Sequence, residues 1–599
     1  MASEPKQIIN CHTHVFTGDH VPPWLAKTFL VWPLYYLIPL SGFVKVFRWW
    51  YNGPGDWKYK PWYKKIARTL SSIKAFLSKN FILTGLKFIV KILLTIHSFF
   101  IIYDWVNSLL SSKAITWVKW IESIRQWLRD KNILWDIPVL LWQILIVLLV
   151  LVFIPSGRNF ILFVANKLWN FLGKLPGKHT KELIKRYLTI GRHAFHKEQS
   201  DTFARLRKQY PPGSGFVVLP MDMEYMNAGK LKKENRYRQQ MADLVSIKNS
   251  HPGWIFPFVF VDPRRIGPVT KENNYQPGDK EYFNYTIHTD PHGKKTVLLS
   301  DCFIKELIER HQFSGFKIYP ALGYYPFDEK LLPLWKYAVD NNLPVLTHCI
   351  RGTIFYRGIK NRDWYQHPVF EEFAWKDNNK QDVFKPLLLP QRKNIDFSVN
   401  FTHPLNYLCL LEETLLRELI GRSKDKKLKD LFGFKDKDTK LSSDLSELKL
   451  CFGHFGGEDE WKRFFEKDRD NFSPKIVELP EQGLDMLNDS NGVRSKTKTE
   501  QVWKGADWYT IICSLMLQKP NVYADISYIL HDPAITPLLK QTLKNNKLRK
   551  KVLFGTDFYV VRNHNSDKEL LAGMMAGLDT EEFDQIAKKN PAKFLNLSE

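Results

Sequence analysis

Cysteine is scarce in this chain. Six of its 599 residues are Cys (Cys11, Cys302, Cys349, Cys409, Cys451 and Cys513), and no two are spaced as Cys-x-x-Cys. This excludes a disulfide-stapled scaffold and a thiolate zinc ribbon. Several lie inside apolar runs and read as reduced core thiols in a reducing compartment. No secretory leader is expected, because the polar N-terminus enters a strand almost at once. Acidic residues are scarce in one place only. Between Lys45 and Glu198 there are 25 Lys and Arg against seven Asp and Glu, which is +18 of the chain's +25. A charge so unevenly placed implies an anionic partner surface for that segment.

The same segment is rich in apolar and aromatic residues. Trp24 to Phe47 is mostly apolar, and Trp49, Trp50, Trp57, Trp62 and Tyr63 mingle with Lys58, Lys60, Lys64, Lys65 and Arg68, a mixture suited to a bilayer headgroup region. Phe81 to Tyr103 is apolar with Thr84, Lys87, Lys91, Thr95 and Ser98 at helical spacing, which predicts an in-plane or partner-facing helix. Ile137 to Ile154 has 18 residues without a charge and comes nearest to a membrane span; Phe160 to Leu175 follows. Nucleic acid would explain the charge but not the apolar runs, so no nucleic-acid partner is expected. The reading is a helical, membrane-associating insertion over residues 24–180, facing a membrane or anionic lipid surface. If the flanking parts form one domain, the chain crosses the bilayer an even number of times or not at all.

Outside the insertion, residues 1–23 and 181–599 show α/β character. Eight short apolar runs begin near Ile8, Phe216, Ile255, Gly315, Leu343, Leu448, Val522 and Lys551, most separated by helical stretches. Strands alternating with helices imply parallel pairing, and eight such units predict a closed (β/α)8 barrel interrupted after its first strand. Asn273–Lys295, Ser423–Glu447 and Glu481–Glu500 read as polar loops.

In such a barrel the chemistry sits at the C-terminal strand ends. Those ends carry His12 and His14, Lys317, His348, His454 and Asp557. Singly each has a bland reading; together they make a set of metal-type ligands and bases. Two neutral imidazoles from one strand end suit Zn²⁺ or a similar divalent ion. Arg351, three residues past His348, could clamp a substrate carboxylate or phosphate, with Arg264 and Arg265 as weaker candidates.

The order His-x-His, strand Lys, strand His, Phe-Gly-His-Phe-Gly-Gly (452–457) and Gly-Thr-Asp (555–557) resembles the amidohydrolase superfamily, in particular its amidohydrolase-related branch that includes aminocarboxymuconate semialdehyde decarboxylase-type enzymes. Thr402 to Tyr407 also resembles a loop of that branch, making His403 a candidate substrate contact. The likeness covers residues 1–20 and about 200–599, not the insertion. It implies that His12, His14, His348 and Asp557 bind one divalent metal, Zn²⁺ being the ion expected, with His454 as acid/base and polarising group. It leaves open a second metal held by carbamylated Lys317, His348 and His454.

The function expected is a metal-dependent hydrolase that cleaves a C–N or C–O bond of a small-molecule substrate by metal-activated water. It would be associated with a membrane through its insertion, the catalytic domain being cytoplasmic. Non-oxidative decarboxylation on the same cage is the first alternative. The second is an inactive, membrane-attached binding or scaffold protein, against which the intact site positions argue. Substrate identity and oligomeric state stay open.

Overall fold

The computed structural model describes residues 7–597 apart from 29–31, 38, 110–115, 173–187, 189–195, 271–274, 353, 390–392 and 467–470. The end of the Phe160–Leu175 apolar stretch therefore lies outside the described residues. The chain divides into two compact units, Met1–Arg48 with Glu182–Glu599, and Trp49–Lys181. Residues 24–48, read from the sequence as part of the insertion, pack with the first unit: Leu25, Ala26, Leu40 and Val44 are buried in its core.

The first unit is built on eight parallel strands in sequence order: β1 (Ile9–Thr13), β2 (Gly215–Val218), β3 (Ile255–Phe260), β4 (Gly315–Ile318), β5 (Val345–His348), β6 (Leu450–Gly453), β7 (Val522–Asp525) and β8 (Val552–Leu553). Closure comes from β8 back to β1. Cys11 N–H donates to Phe554 O at 2.8 Å, Asp557 N–H donates to His12 O at 2.8 Å, and Thr13 bridges Phe558 in parallel. This is a (β/α)8 barrel, as the alternating pattern predicts. Its strands are short and buried on both faces, which is why they read as apolar runs without alternation.

Inside the barrel, Ile9, Cys11, Val217, Leu219, Phe256, Phe258, Leu346, Cys451, Tyr523 and Leu553 form one apolar cluster together with Phe594 and Leu595. Side chains two apart share a strand face. The residue two beyond Leu346 is therefore His348, and two beyond Tyr523 is Asp525, so the interior changes from hydrocarbon to ligand chemistry toward the C-terminal ends. In β1 a register shift between Asn10 and Thr13 breaks simple alternation and lets Cys11 and the histidines share the interior. All six cysteines are free and buried.

Two hairpins and a helix appear that the sequence reading did not assign, the first hairpin and the helix falling on expected polar loops. Tyr285–Thr289 pairs antiparallel with Lys295–Leu299, and Gln366–Lys376 pairs with Asp382–Leu388 in a second hairpin. The Ser423–Glu447 region contains the helix Lys426–Phe432, capped by the Asp425 side chain.

The second unit is helical, with Pro61–Lys79, Phe81–Leu109, Thr116–Asp130, Leu140–Phe153 and Pro155–Leu172 as its main helices. Phe100, Leu128 and Leu134 form a small core. The helix expected to lie in the plane or face a partner runs on past Tyr103 to Leu109, because Trp105, Val106 and Leu109 extend its apolar run; Phe81–Ser108 is long and apolar enough to cross a membrane by length and composition. The charge-free stretch behaves in the opposite way. Its helix has 14 residues, about 21 Å against a hydrocarbon layer of about 30 Å. Pro155 ends it by pushing Ile154 into extended backbone (ψ 134°), and the next helix leaves with an 85° bend.

Candidate metal centre

The site is assembled at the ends of β1, β6, β7 and β8. His14 Nε2 lies 3.1 Å from Asp557 Oδ1, and His12 Nε2 lies 3.8 Å from the same oxygen. The donor atoms of His12, His14 and Asp557 all fall within 4.8 Å of one another, and all three residues are buried. Each imidazole is oriented from behind. His14 Nδ1 is 2.7 Å from Leu219 O, and His12 Nδ1 is 2.9 Å from Asp525 Oδ2. Both acceptors fix the proton on Nδ1 and turn the Nε2 lone pair inward, the usual device for holding a ligating histidine. His12 Nε2 is buried with no hydrogen-bond partner. Burial, reinforced by the charges of Lys317 and His14, holds the His12 pKa well below its ordinary value, so the ring is neutral. Two imidazoles anchored through Nδ1, one carboxylate and a buried Nε2 without a hydrogen-bond partner fit a divalent cation of the N/O-binding type.

Glycine makes the close approach. A Cβ on Gly453 would lie 2.8 Å from Thr347 O and 3.1 Å from the His12 ring, and one on Gly555 would lie 2.8 Å from His12 Cβ. The Phe-Gly-His and Phe-Gly-Thr-Asp motifs thus carry the glycines that let β6 and β8 pass the first ligand. His454 (φ 64°) and Asp557 (φ 63°) sit in left-handed backbone, a strain that packing must hold and that concentrates at functional sites.

Asp525 is the residue that the sequence reading overlooked. It is fully buried at the end of β7. Besides His12 it accepts from the backbone N–H of His454 (3.0 Å) and of Ser527 (3.1 Å), and from the Ser527 hydroxyl. Since Ser527 gives its proton to Asp525, its oxygen accepts from His454 Nδ1 at 2.9 Å. His454 Nε2 is then the acceptor facing His348 Nδ1 at 3.1 Å. A second grouping of donors, His12, His454 and Asp525, is accounted for by these hydrogen bonds. The only sequence signal was position, an acid at the end of the seventh strand.

The other expected residues divide. His348 stacks on Tyr319 (ring centroids 3.8 Å apart) and meets the His12–His14–Asp557 group through His454 rather than within the 4.8 Å grouping. Burial takes the His454 pKa down to about 3, which keeps the ring neutral. Lys317 is buried with no hydrogen-bond partner on Nζ, and burial lowers its pKa to about 8. Arg351 and His403 instead line a separate cavity of about 660 Å³ with Trp503, Trp508 and the Gly456-Gly457 turn. Arg351 is paired with Asp396. His403 caps a short turn by accepting from Leu405 N–H (3.3 Å) and stacks on Trp503. Arg264 and Arg265 are held by Asp262 and Asp222 in ion pairs whose carboxylates are fully buried, and Arg264 also donates to Leu322 O; they tie loops together.

The amidohydrolase family model matches residues 503–597, a stretch that contains both Asp525 and Asp557. No curated protein matches the chain. Among solved structures, 2,6-dihydroxybenzoate decarboxylase from Rhizobium aligns at 13% identity, covering 71% of this chain and 94% of that one, with a TM-score of 0.32. Dihydroxybenzoic acid decarboxylase from Polaromonas sp. JS666, with bound manganese, gives 12%, 71%, 92% and 0.32. The 5-carboxyvanillate decarboxylase from Sphingomonas paucimobilis gives 10%, 68%, 85% and 0.31. The amidohydrolase likeness read from the motifs thus meets a family match at the C-terminal end of the barrel.

Proposed function

We propose that the protein is a metal-dependent hydrolase of the amidohydrolase type that cleaves a C–N or C–O bond in a small molecule, held at a membrane through residues 49–181. One observation carries the enzymatic part: His12, His14 and Asp557 converge within 4.8 Å with a buried, partnerless Nε2 on His12. These three residues would hold the metal, for which Zn²⁺ is the proposed ion. When bound, such a cation lowers the pKa of a water ligand from 15.7 to about 7.

The chain's own groups supply the rest. Asp557, against His14 Nε2, is placed to accept a proton from the nucleophile and hand it to the leaving group. His454 is neutral because of burial, and its Nε2 meets His348 Nδ1 at 3.1 Å, so the pair of rings is placed to polarise the substrate and to relay a proton. The His454 Nδ1 proton is backed by Ser527 and Asp525, which stabilise positive charge on the ring when it takes a proton.

Non-oxidative decarboxylation is the second reading, and Lys317 favours it. In its ammonium form, Lys317, buried near the ligands without a hydrogen-bond partner on Nζ, is a ready counter-ion for a substrate carboxylate. The decisive assay sets hydrolysis of an amide and ester panel against CO₂ release from an aromatic and unsaturated carboxylate panel, both with metal-loaded protein. Turnover in the first panel supports hydrolysis. Turnover in the second alone replaces it with decarboxylation, and turnover in neither by a folded, metal-loaded protein counts against an enzyme.

For the membrane part, the support is the +18 excess, the interleaved Trp and Lys, and the long apolar helix Phe81–Leu109. Sedimentation with anionic vesicles tests it; a full-length protein that stays in the supernatant would refute it.

A further inference from the structure

The barrel unit carries an apolar surface of its own at the catalytic end. The loops that follow β1, β2 and β5 all leave from the C-terminal strand ends, and hydrogen bonds lock them together. Trp24 N–H donates to Ala228 O at 2.9 Å, and Arg357 N–H donates to Met226 O at 2.8 Å. The Arg357 guanidinium, itself buried, donates to Lys27 O at 2.9 Å, and Lys27 Nζ donates to Asn227 O at 2.9 Å. A rim fixed in this way would be expected to present polar side chains to water. It presents instead Trp32, Leu37, Val46 and Ile359 at 72%, 76%, 62% and 92% exposure. Lys230 and Lys233, both exposed, lie in the connection after β2, and Lys45 is exposed on the helix Leu40–Asn52 that follows β1.

We propose that this rim seats on an anionic lipid bilayer, so that the mouth of the barrel faces the headgroup layer. The inference rests on the membrane reading above and adds to it a second, independent contact made by the barrel itself. Three observations select lipid over a protein partner. The large exposed apolar side chains come from two connections far apart in the chain, Trp32, Leu37 and Val46 after β1 and Ile359 after β5, and not from one amphipathic element. Exposed lysines stand on the connections after β1 and β2, as suits an acidic headgroup plane. The segment continuing from this rim is the one that holds the basic excess and the long apolar helix.

The six native cysteines are buried, which makes a single exposed cysteine selectively labelled in the full-length protein. An environment-sensitive fluorophore on Ile359→Cys is compared with the same label on Asn546→Cys, in the segment entering β8 at the opposite end of the barrel, and on Phe88→Cys in the long helix. Vesicles of phosphatidylcholine with and without phosphatidylserine are added, with doxyl-labelled lipid as quencher. The expected result is a blue shift and doxyl quenching at position 359 that require phosphatidylserine, with position 546 unchanged. A response at 88 but none at 359 overturns the rim contact while leaving the membrane reading in place. No response at either position refutes both. A shift at 359 that follows protein concentration without lipid would assign the rim to a second copy of the chain and overturn the proposal.

Discussion

The β1/β8 side of the barrel mouth and the β5/β6 side hold the same residue types in opposite arrangements. On the first, His12 and His14 are each pinned through Nδ1 by an acceptor behind them, and both Nε2 atoms turn toward Asp557. On the second, the histidines face each other, His348 Nδ1 against His454 Nε2. A ring whose outer nitrogen is anchored offers its other lone pair to a cation; a ring bonded to another ring passes protons. The difference lies in what the inward nitrogens meet, the Asp557 carboxylate on the first side and a neighbouring ring on the second, and Asp525 serves both sides.

The largest effect should come from the first side. Asp557→Asn removes both a ligand and the proton carrier, and turnover should fall by more than the ~10²–10⁴-fold typical of a single acid–base group, measured under saturating metal. On the second side, His454→Gln should lower kcat by about 10²–10⁴-fold while metal content stays that of the wild type. Loss of metal from this variant would make His454 a ligand and erase the contrast between the two sides. Asp525→Asn touches both. It should weaken metal affinity by roughly 10–100-fold, the usual cost of losing the partner behind a ligating histidine, as read by competition with a chelator.

Acid stability tests the buried histidines away from the ligands. Burial lowers the pKa of both His367 and His403 to about 3. The unfolded chain takes up a proton at each below about pH 6.5, whereas the folded chain does so only near 3. Stability is therefore full above 6.5 and lost as pH falls toward 3, by up to ~1.4 kcal/mol per pH unit for each ring. Urea midpoints measured from pH 7 to pH 5 should fall, and His367→Gln should flatten the slope by up to one proton. The smallest effect belongs to Arg351→Ala. Its guanidinium is half exposed and paired with Asp396, so stability should change by under ~1 kcal/mol and KM by a few-fold at most. A large rise in KM would return Arg351 to the substrate.

Much of the barrel was legible because its strands are short, buried on both faces and separated by helices, so that Phe216–Pro220 or Val522–Asp525 stands out from its surroundings. Ligands were legible where a motif marked them: His-x-His, and the glycines that let β6 and β8 pass close to His12. Asp525 has no such mark. Its importance lies in what it accepts from three other segments, which no local pattern records. The hairpin Gln366–Lys376 with Asp382–Leu388 was missed because tertiary pairing, not local propensity, decides its state. Arg264 and Arg265 stood as weaker clamp candidates because the acids that pair with them include one 43 positions away, Asp222 against Arg265. In the insertion, composition foretold apolar helices, but the span-length assignment turned on Pro155, which cuts the most apolar run short.

The central claim is that His12, His14 and Asp557 make one cation site, and metal analysis of the full-length protein after mild purification tests it most directly. The account predicts about one divalent ion per chain, lost together with its tight binding in a His12→Gln, His14→Gln double variant that keeps the wild-type circular dichroism. A folded wild-type protein that holds no zinc, manganese or iron and takes up none on dialysis would contradict it.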